Sequence, residues 1–223
     1  MSDVGVPGSY KLLIFDWDGT LVDSIGRIVA AMHLAADGCG FARCTDEAVK
    51  AIIGLALPEA VRVLYPDLRE STAIEYFTRI YSESYLLLES EPSALFVDVA
   101  ESLQAFRQRG FHLAVATGKS RHGLDRVLAG RGWVDYFDLT RCADESASKP
   151  HPLMLEQILA HFQLPAQQAL MVGDSIFDLQ MAHNAGMHSV AVGYGAQSLA
   201  VLREQRPHLA IERFSQLREW LSC

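Results

Sequence analysis

The chain has 223 residues, half of them hydrophobic, with 21% charged. That balance supports a buried core and excludes a disordered chain, and at roughly 150 residues per domain it allows one large domain or one domain with a smaller companion. Lys and Arg number 19 against 27 Asp and Glu, a net charge of −8, which argues against nucleic acid or an anionic membrane surface as partner, because both need basic patches. No apolar run approaches the ~20 residues of a membrane helix. Met1–Ser9 has no basic residue and no apolar stretch, so no secretory leader is expected there. Cys39, Cys44, Cys142 and Cys223 form no C-x-x-C pair and alternate with no histidines at zinc spacing. Reduced thiols in a cytoplasmic protein are the expectation.

In chain order, Lys11-Leu-Leu-Ile-Phe15 is a short apolar run ending at Asp16. Such a run fits a strand covered on both faces, as in a parallel sheet under helices. Residues 24–90 then contain no convincing strand. Helical patterns cover Ile25 to Ala36, Asp46 to Ile53, Pro58 to Leu64 and Ala73 to Leu88, so an all-helical insert is expected between the first two core strands. Its edges are turn-like, at Gly19-Thr20 and Glu91-Pro92-Ser93. Ala100 to Arg109 reads as a helix stopped by Gly110, followed by a strand at Leu113–Thr117. Leu153 to Phe162 is helical, Ala169–Gly173 is a third strand, Ile176 to Asn184 a helix, and Ser189–Gly193 a fourth strand. Phe214, Leu217 and Trp220 mark a short amphipathic helix near the C-terminus. Alternating strands and helices predict an α/β fold with right-handed crossovers.

The residues with chemical potential sit at strand ends, where open α/β sheets bind ligands. Asp16 and Asp18 end the first strand. Two close carboxylates suit an acidic turn, with Gly19 supplying the positive φ, or a hard divalent cation such as Mg2+, which takes oxygen ligands and relieves their repulsion. Asp174 ends the third strand and Asp178 follows four residues later. Helix capping by Asp174 or Ser175 explains that pair alone; two acidic ends on one sheet edge favour a metal site. Thr117-Gly118-Lys119 joins a hydroxyl to the free N–H groups of a helix start, suiting an N-cap turn or an anion site. Lys149, beside Pro150, is one of only four lysines, with Lys11, Lys50 and Lys119.

Together these stretches resemble the haloacid dehalogenase-like superfamily. Asp16-x-Asp18-Gly-Thr matches its first motif, Thr117 its second, Lys149 its third, and Gly173-Asp174-Ser-x-x-Asp178 its fourth, in the right order across essentially the whole chain. The resemblance implies a Rossmann-like parallel-sheet core over residues 1–23 and 91–223, with 24–90 an inserted helical cap that sets specificity, as in the subgroup of phosphoglycolate phosphatases, β-phosphoglucomutases and pyrophosphatases. It implies Asp16 as nucleophile and Asp18 as acid and base. Mg2+ would sit on Asp16, the Asp18 carbonyl and Asp174, with Asp178 behind them; Thr117, Gly118 and Lys149 would hold phosphate.

The implied function is hydrolysis of a small phosphomonoester, a phosphorylated metabolite, through an aspartyl-phosphate; the net charge of −8 is compatible with a soluble monomer, and the sequence does not define the oligomeric state. A pyrophosphatase, a phosphomutase-like phosphotransferase and a non-catalytic phosphate binder remain as alternatives. True dehalogenases resemble the chain but lack the second aspartate. Phosphonoacetaldehyde hydrolases carry Ala in place of Asp18 and use a cap lysine, for which only Lys50 is available. The segment holding Gly54, Leu55 and Leu57 resembles the cap loop that dips into such sites. It lacks the basic residue of sugar-phosphate mutases, although Arg62 follows one turn later. Val97-Asp98 stands where relatives often have Pro-Gly. His151, His183 and Asn184 read as turn and helix-end residues.

Overall fold

A computed structural model describes residues 10–222; the leader reading over Met1–Ser9 and the residue Cys223 lie outside them. Six parallel strands form one sheet: β1 (Leu12–Phe15), β2 (His112–Thr117), β3 (Leu139–Cys142), β4 (Ala169–Gly173), β5 (His188–Val192) and β6 (Leu209–Ile211). Their order is β3-β2-β1-β4-β5-β6. β1 is central, paired with β2 through Phe15 and Val115 and with β4 through Phe15 and Val172. The sheet therefore reverses its winding beside β1, and the first acidic motif lies at that switch point.

Among the described residues, ten α-helices accompany the strands. Four lie in the insert: α1 (Ile25–Cys39), α2 (Asp46–Ala51), α3 (Leu57–Leu64) and α4 (Ser71–Leu87). The others are α5 (Val99–Gln108), α6 (Arg121–Gly130), α7 (Leu153–Phe162), α8 (Ile176–Asn184), α9 (Leu199–Arg203) and α10 (Ser215–Trp220). Side chains alternate across β1 and so supply two cores. Leu13 and Phe15 join Leu103 and Phe106 of α5, Phe214 just before α10 and Leu217 of α10. Leu12 and Ile14 join Met154, Leu155 and Ile158 of α7 and Met181 of α8. Every residue of β1 is fully buried, which explains the unbroken apolar run.

The insert has its own apolar cluster, with Met32, Val49, Val61, Ile74 and Phe77 at its centre. It joins the sheet part through two chain segments that bond to each other, Asp23 N to Ala94 O at 2.9 Å and Phe96 N to Leu21 O at 3.1 Å. Asp98 just beyond has φ 67°. Its short side chain tolerates this left-handed conformation.

The expected strands and insert helices are present, with ends shifted by one to three residues. β3, β6, α6 and α9 add to them. β3 and β6 are edge strands with partly exposed residues; β3 is interrupted by Thr140 and Arg141 and β6 is only three residues long, and α6 carries Gly123 and Gly130, which dilute its helical pattern. Cys39 and Cys44 are half-buried and Cys142 buried, all as free thiols. No helix among the described residues is long and apolar enough to cross a membrane.

Candidate active site at the carboxyl ends of the central strands

Asp16 follows β1 and is 2% exposed. Its Oδ1 accepts from Lys149 Nζ at 2.5 Å, whereas its Oδ2 has no hydrogen-bond partner. Lys149 Nζ also lies 2.6 Å from Asp178 Oδ1, and the lysine side chain is fully enclosed. Asp178 in turn uses Oδ2 to accept from the Ser175 N–H at 3.1 Å and hydroxyl at 2.6 Å. This is a capping box that fixes the start of α8. Asn184 Nδ2 donates to the Pro150 carbonyl at 2.9 Å and so ties the end of α8 to the loop of Lys149.

Asp174 closes β4. Its Oδ1 accepts from Thr20 Oγ1 at 3.2 Å and its Oδ2 from Ala196 N at 2.6 Å. Gly19 passes directly over it with φ +84°, and a Cβ there would lie 2.1 Å from Asp174 Oδ2. Only glycine allows this approach of the β1 loop to the β4 carboxylate.

Carboxylate oxygens of Asp16, Asp174 and Asp178 all lie within 4.8 Å of one another, and all three residues are buried. Three buried carboxylates share one ammonium, so charge is not balanced locally. Burial, followed by the other carboxylates, pushes Asp16 well above the usual carboxylate range. Burial and then Asp178 push Asp174 up to about 7. Burial works against the charge of Lys149, but Asp16 and Asp178 outweigh it and raise its pKa. A clustered, all-oxygen donor set with an unpartnered buried oxygen on Asp16 fits a hard divalent cation.

Asp18 points elsewhere. Its Oδ1 accepts from Ser24 Oγ at 2.6 Å, and its Oδ2 pairs with Lys119 Nζ at 3.0 Å. Asp16, Asp18, Thr117, Gly118 and Lys119 line one wall of a cavity of about 630 Å3, roofed by the insert. The loop from Ile52 to Pro58 reaches down to this floor. Ala56 N donates to Ser148 Oγ at 2.9 Å, next to Lys149, and a Cβ on Gly118 would lie 2.5 Å from the Leu55 carbonyl oxygen. Gly54, Leu55 and Leu57 line the cavity. Arg62 instead pairs with Glu59 at 3.2 Å, half exposed, and does not line the cavity; nor does Lys50.

The sequence reading did not single out Tyr81 and Tyr85 of α4 or His122 and Arg126 of α6, which complete the wall. Spacing four on α4 and on α6 was the available signal, but it does not distinguish a cavity face from a core face. His151 accepts from Leu153 N at 3.2 Å, as a turn residue does.

Residues 13–192 match the family model for haloacid dehalogenase-like hydrolases. A protein named probable phosphatase IndB from Dickeya dadantii is 33% identical over 211 residues, covering 92% of this chain and 91% of its own length. A phosphoglycolate phosphatase from Vibrio parahaemolyticus is 31% identical over 221 residues, covering 94% and 95%. Among solved structures, one described as a predicted phosphoglycolate phosphatase from Haemophilus somnus superposes with a TM-score of 0.81 at 26% identity, covering 95% and 97%. A family hydrolase from Streptococcus pneumoniae shares the fold at a TM-score of 0.81, with 22% identity and coverage of 95% and 98%. With motifs, topology and matched length in agreement, the chain belongs to the haloacid dehalogenase-like hydrolase family.

Proposed function

We propose that this chain is a Mg2+-dependent phosphatase that hydrolyses a small phosphomonoester through an aspartyl-phosphate, in the manner of phosphoglycolate phosphatases. The observation that carries the reading is Asp16: a buried carboxylate on the cavity wall, one oxygen held by Lys149 and the other without a partner. A carboxylate so held is aimed rather than free to rotate, as in-line attack on phosphorus requires.

In this reading Asp16 forms a bond to phosphorus as the ester oxygen leaves. Asp18 donates its proton to that oxygen, so the leaving group departs as a neutral alcohol. Asp18 then takes a proton from water, which attacks phosphorus, frees Asp16 and releases inorganic phosphate. The Thr117 hydroxyl, the Gly118 N–H and the Lys149 ammonium hold the phosphoryl oxygens as charge shifts among them. Asp16, Asp174 and the Asp18 carbonyl would hold Mg2+, supported by Asp178. The ion would neutralise carboxylate and phosphate charge and polarise a phosphoryl oxygen.

Residues 24–90 act as a cap over a core of residues 1–23 and 91–223, and the enzyme works on a phosphorylated metabolite in the cytoplasm, where a monomer suffices. Arg62 and Lys50 do not line the cavity, and Arg79, the insert arginine that does, is paired with Glu83, which favours a phosphatase over a sugar-phosphate mutase.

Phosphate release should be measured with phosphoglycolate, pyrophosphate and a sugar phosphate, with Mg2+ and with chelator. Turnover of a monoester that chelator and Asp16→Asn both abolish is the expected result. Tight phosphate binding without turnover would make the chain a binding protein, and full turnover by Asp16→Asn would remove the assigned nucleophile.

A further inference from the structure

We propose that the leaving-group side of the cavity is built for a bulky, uncharged, largely apolar alcohol, such as one bearing an aromatic ring, and disfavours a short acid such as glycolate. The inference rests on the phosphatase reading and names its substrate class. The cavity of about 630 Å3 is of the size that takes a whole small-molecule ligand, and a two-carbon acid leaves most of it empty. Its upper wall is apolar: Met32 of α1, Ile53, Leu55 and Leu57 of the loop and α3, and Tyr81 and Tyr85 of α4. The two tyrosine rings pack on each other, 6.1 Å apart and tilted by 35°, and add aromatic surface to the wall.

The charges on the wall lead to the same class. Lys119 is paired with Asp18 at 3.0 Å, and Arg79 with Glu83 at 3.0 Å. Arg126 is paired with Glu89. Arg79 and Arg126 thus already face carboxylates, Lys119 is held between Asp18 and the Tyr85 ring, and Glu59 and Glu75 add negative charge to the same wall. Lys149 serves Asp16 and Asp178 at the phosphoryl end. A carboxylate on the leaving group would lose its water without gaining a cation, which is unfavourable. An apolar ring gains from the same desolvation, while Ser82, Ser120 and His122 offer hydrogen bonds to its substituents.

The test compares benzyl phosphate, ethyl phosphate and phosphoglycolate, whose alcohols have comparable acidity, with Mg2+ and the intact enzyme. kcat/KM should fall in that order, with benzyl phosphate on the order of tenfold or more above phosphoglycolate, expressed mainly in KM. Leu57→Arg, which supplies the missing cation, should narrow the benzyl-to-glycolate ratio by about threefold or more. Phosphoglycolate turned over as well as ethyl phosphate or better would overturn this inference and leave the phosphatase reading standing. If no ester is hydrolysed, by the intact enzyme or by Asp16→Asn, the phosphatase reading falls and the inference with it.

Discussion

Lys119 Nζ lies 3.0 Å from Asp18 Oδ2 and 4.9 Å from the centre of the Tyr85 ring, so one cation joins the proposed acid–base residue to a helix of the insert. The pair is nearly enclosed, with side chains 14% and 12% exposed. Under the proposed mechanism this pairing would orient Asp18 toward the leaving oxygen. Acid–base catalysis is worth about 10²–10⁴-fold, and a badly held acid forfeits part of it. Lys119→Met should lower kcat by about tenfold or more and change KM little, while Lys119→Arg recovers part of the loss. Steady-state kinetics on any accepted ester would decide, and an unchanged kcat would leave Lys119 as packing.

The carboxylate cluster predicts linked metal and proton binding. Burial chiefly, then Asp178, raises the Asp174 pKa to about 7, above that of the unfolded chain. A raised folded pKa means the folded protein binds the proton more tightly. That stability is fully present at low pH and is lost as pH rises through about 7. Mg2+ competes with this proton, so its stabilising effect should grow over the same range. At 100 times its dissociation constant, a ligand adds about 2.7 kcal/mol, or roughly 5–10 °C in Tm for a chain of this size. Thermal melts in chelator and in Mg2+ should show that shift at pH 8 and less than half of it at pH 5.5. Asp174→Asn should show it at neither pH.

The acidic cluster at the strand ends was legible because parallel strands are short and apolar and end abruptly. Asp16 after Phe15 and Asp174 after Gly173 stand out as charge against an apolar run, and the Gly19 approach to Asp174 confirms that the two ends meet. The pairing of Lys119 with Asp18 joins residues about a hundred positions apart, and no local pattern encodes it. Leu139–Cys142 escaped because an edge strand need not be apolar throughout. Tyr81 and Tyr85 resemble any buried helix face until the neighbouring loop is seen to leave a cavity there. Arg62 illustrates the converse: proximity to the cap loop in sequence placed it as a candidate, but its helix turns it outward to Glu59.

The insert loop touches the floor through backbone, so a small change should displace it. A Cβ on Gly118 would lie 2.5 Å from the Leu55 carbonyl oxygen and 2.6 Å from that of Gly54. Neither atom can rotate away as a side chain would. Gly118→Ala should hold the loop off the floor by about an ångström, and misplacement of that size can cost on the order of 100-fold in kcat/KM. The fold cores lie elsewhere, so Tm should change by only a few degrees. Wild-type kcat/KM in Gly118→Ala would mean that the loop stands clear of the floor during turnover.

A separate pH effect lies at the opposite side of the sheet. His208 lies against His188 with ring centres 3.9 Å apart and the planes tilted by 36°, and its Nδ1 accepts from Ser189 N at 3.2 Å. Burial, reinforced by His188, lowers the His208 pKa below its ordinary value. Protonation would also replace the acceptor at Nδ1 with a donor facing an N–H. The unfolded chain therefore binds this proton more readily than the folded protein. Stability is present above about pH 6.5 and is lost as pH falls through the lower folded value. His208→Asn keeps an acceptor and removes the titration. Between pH 7.5 and pH 5.0 the wild-type Tm should fall by on the order of 2 °C more than that of the variant. Equal falls would show that His208 stays neutral, or becomes charged, at no cost to the fold.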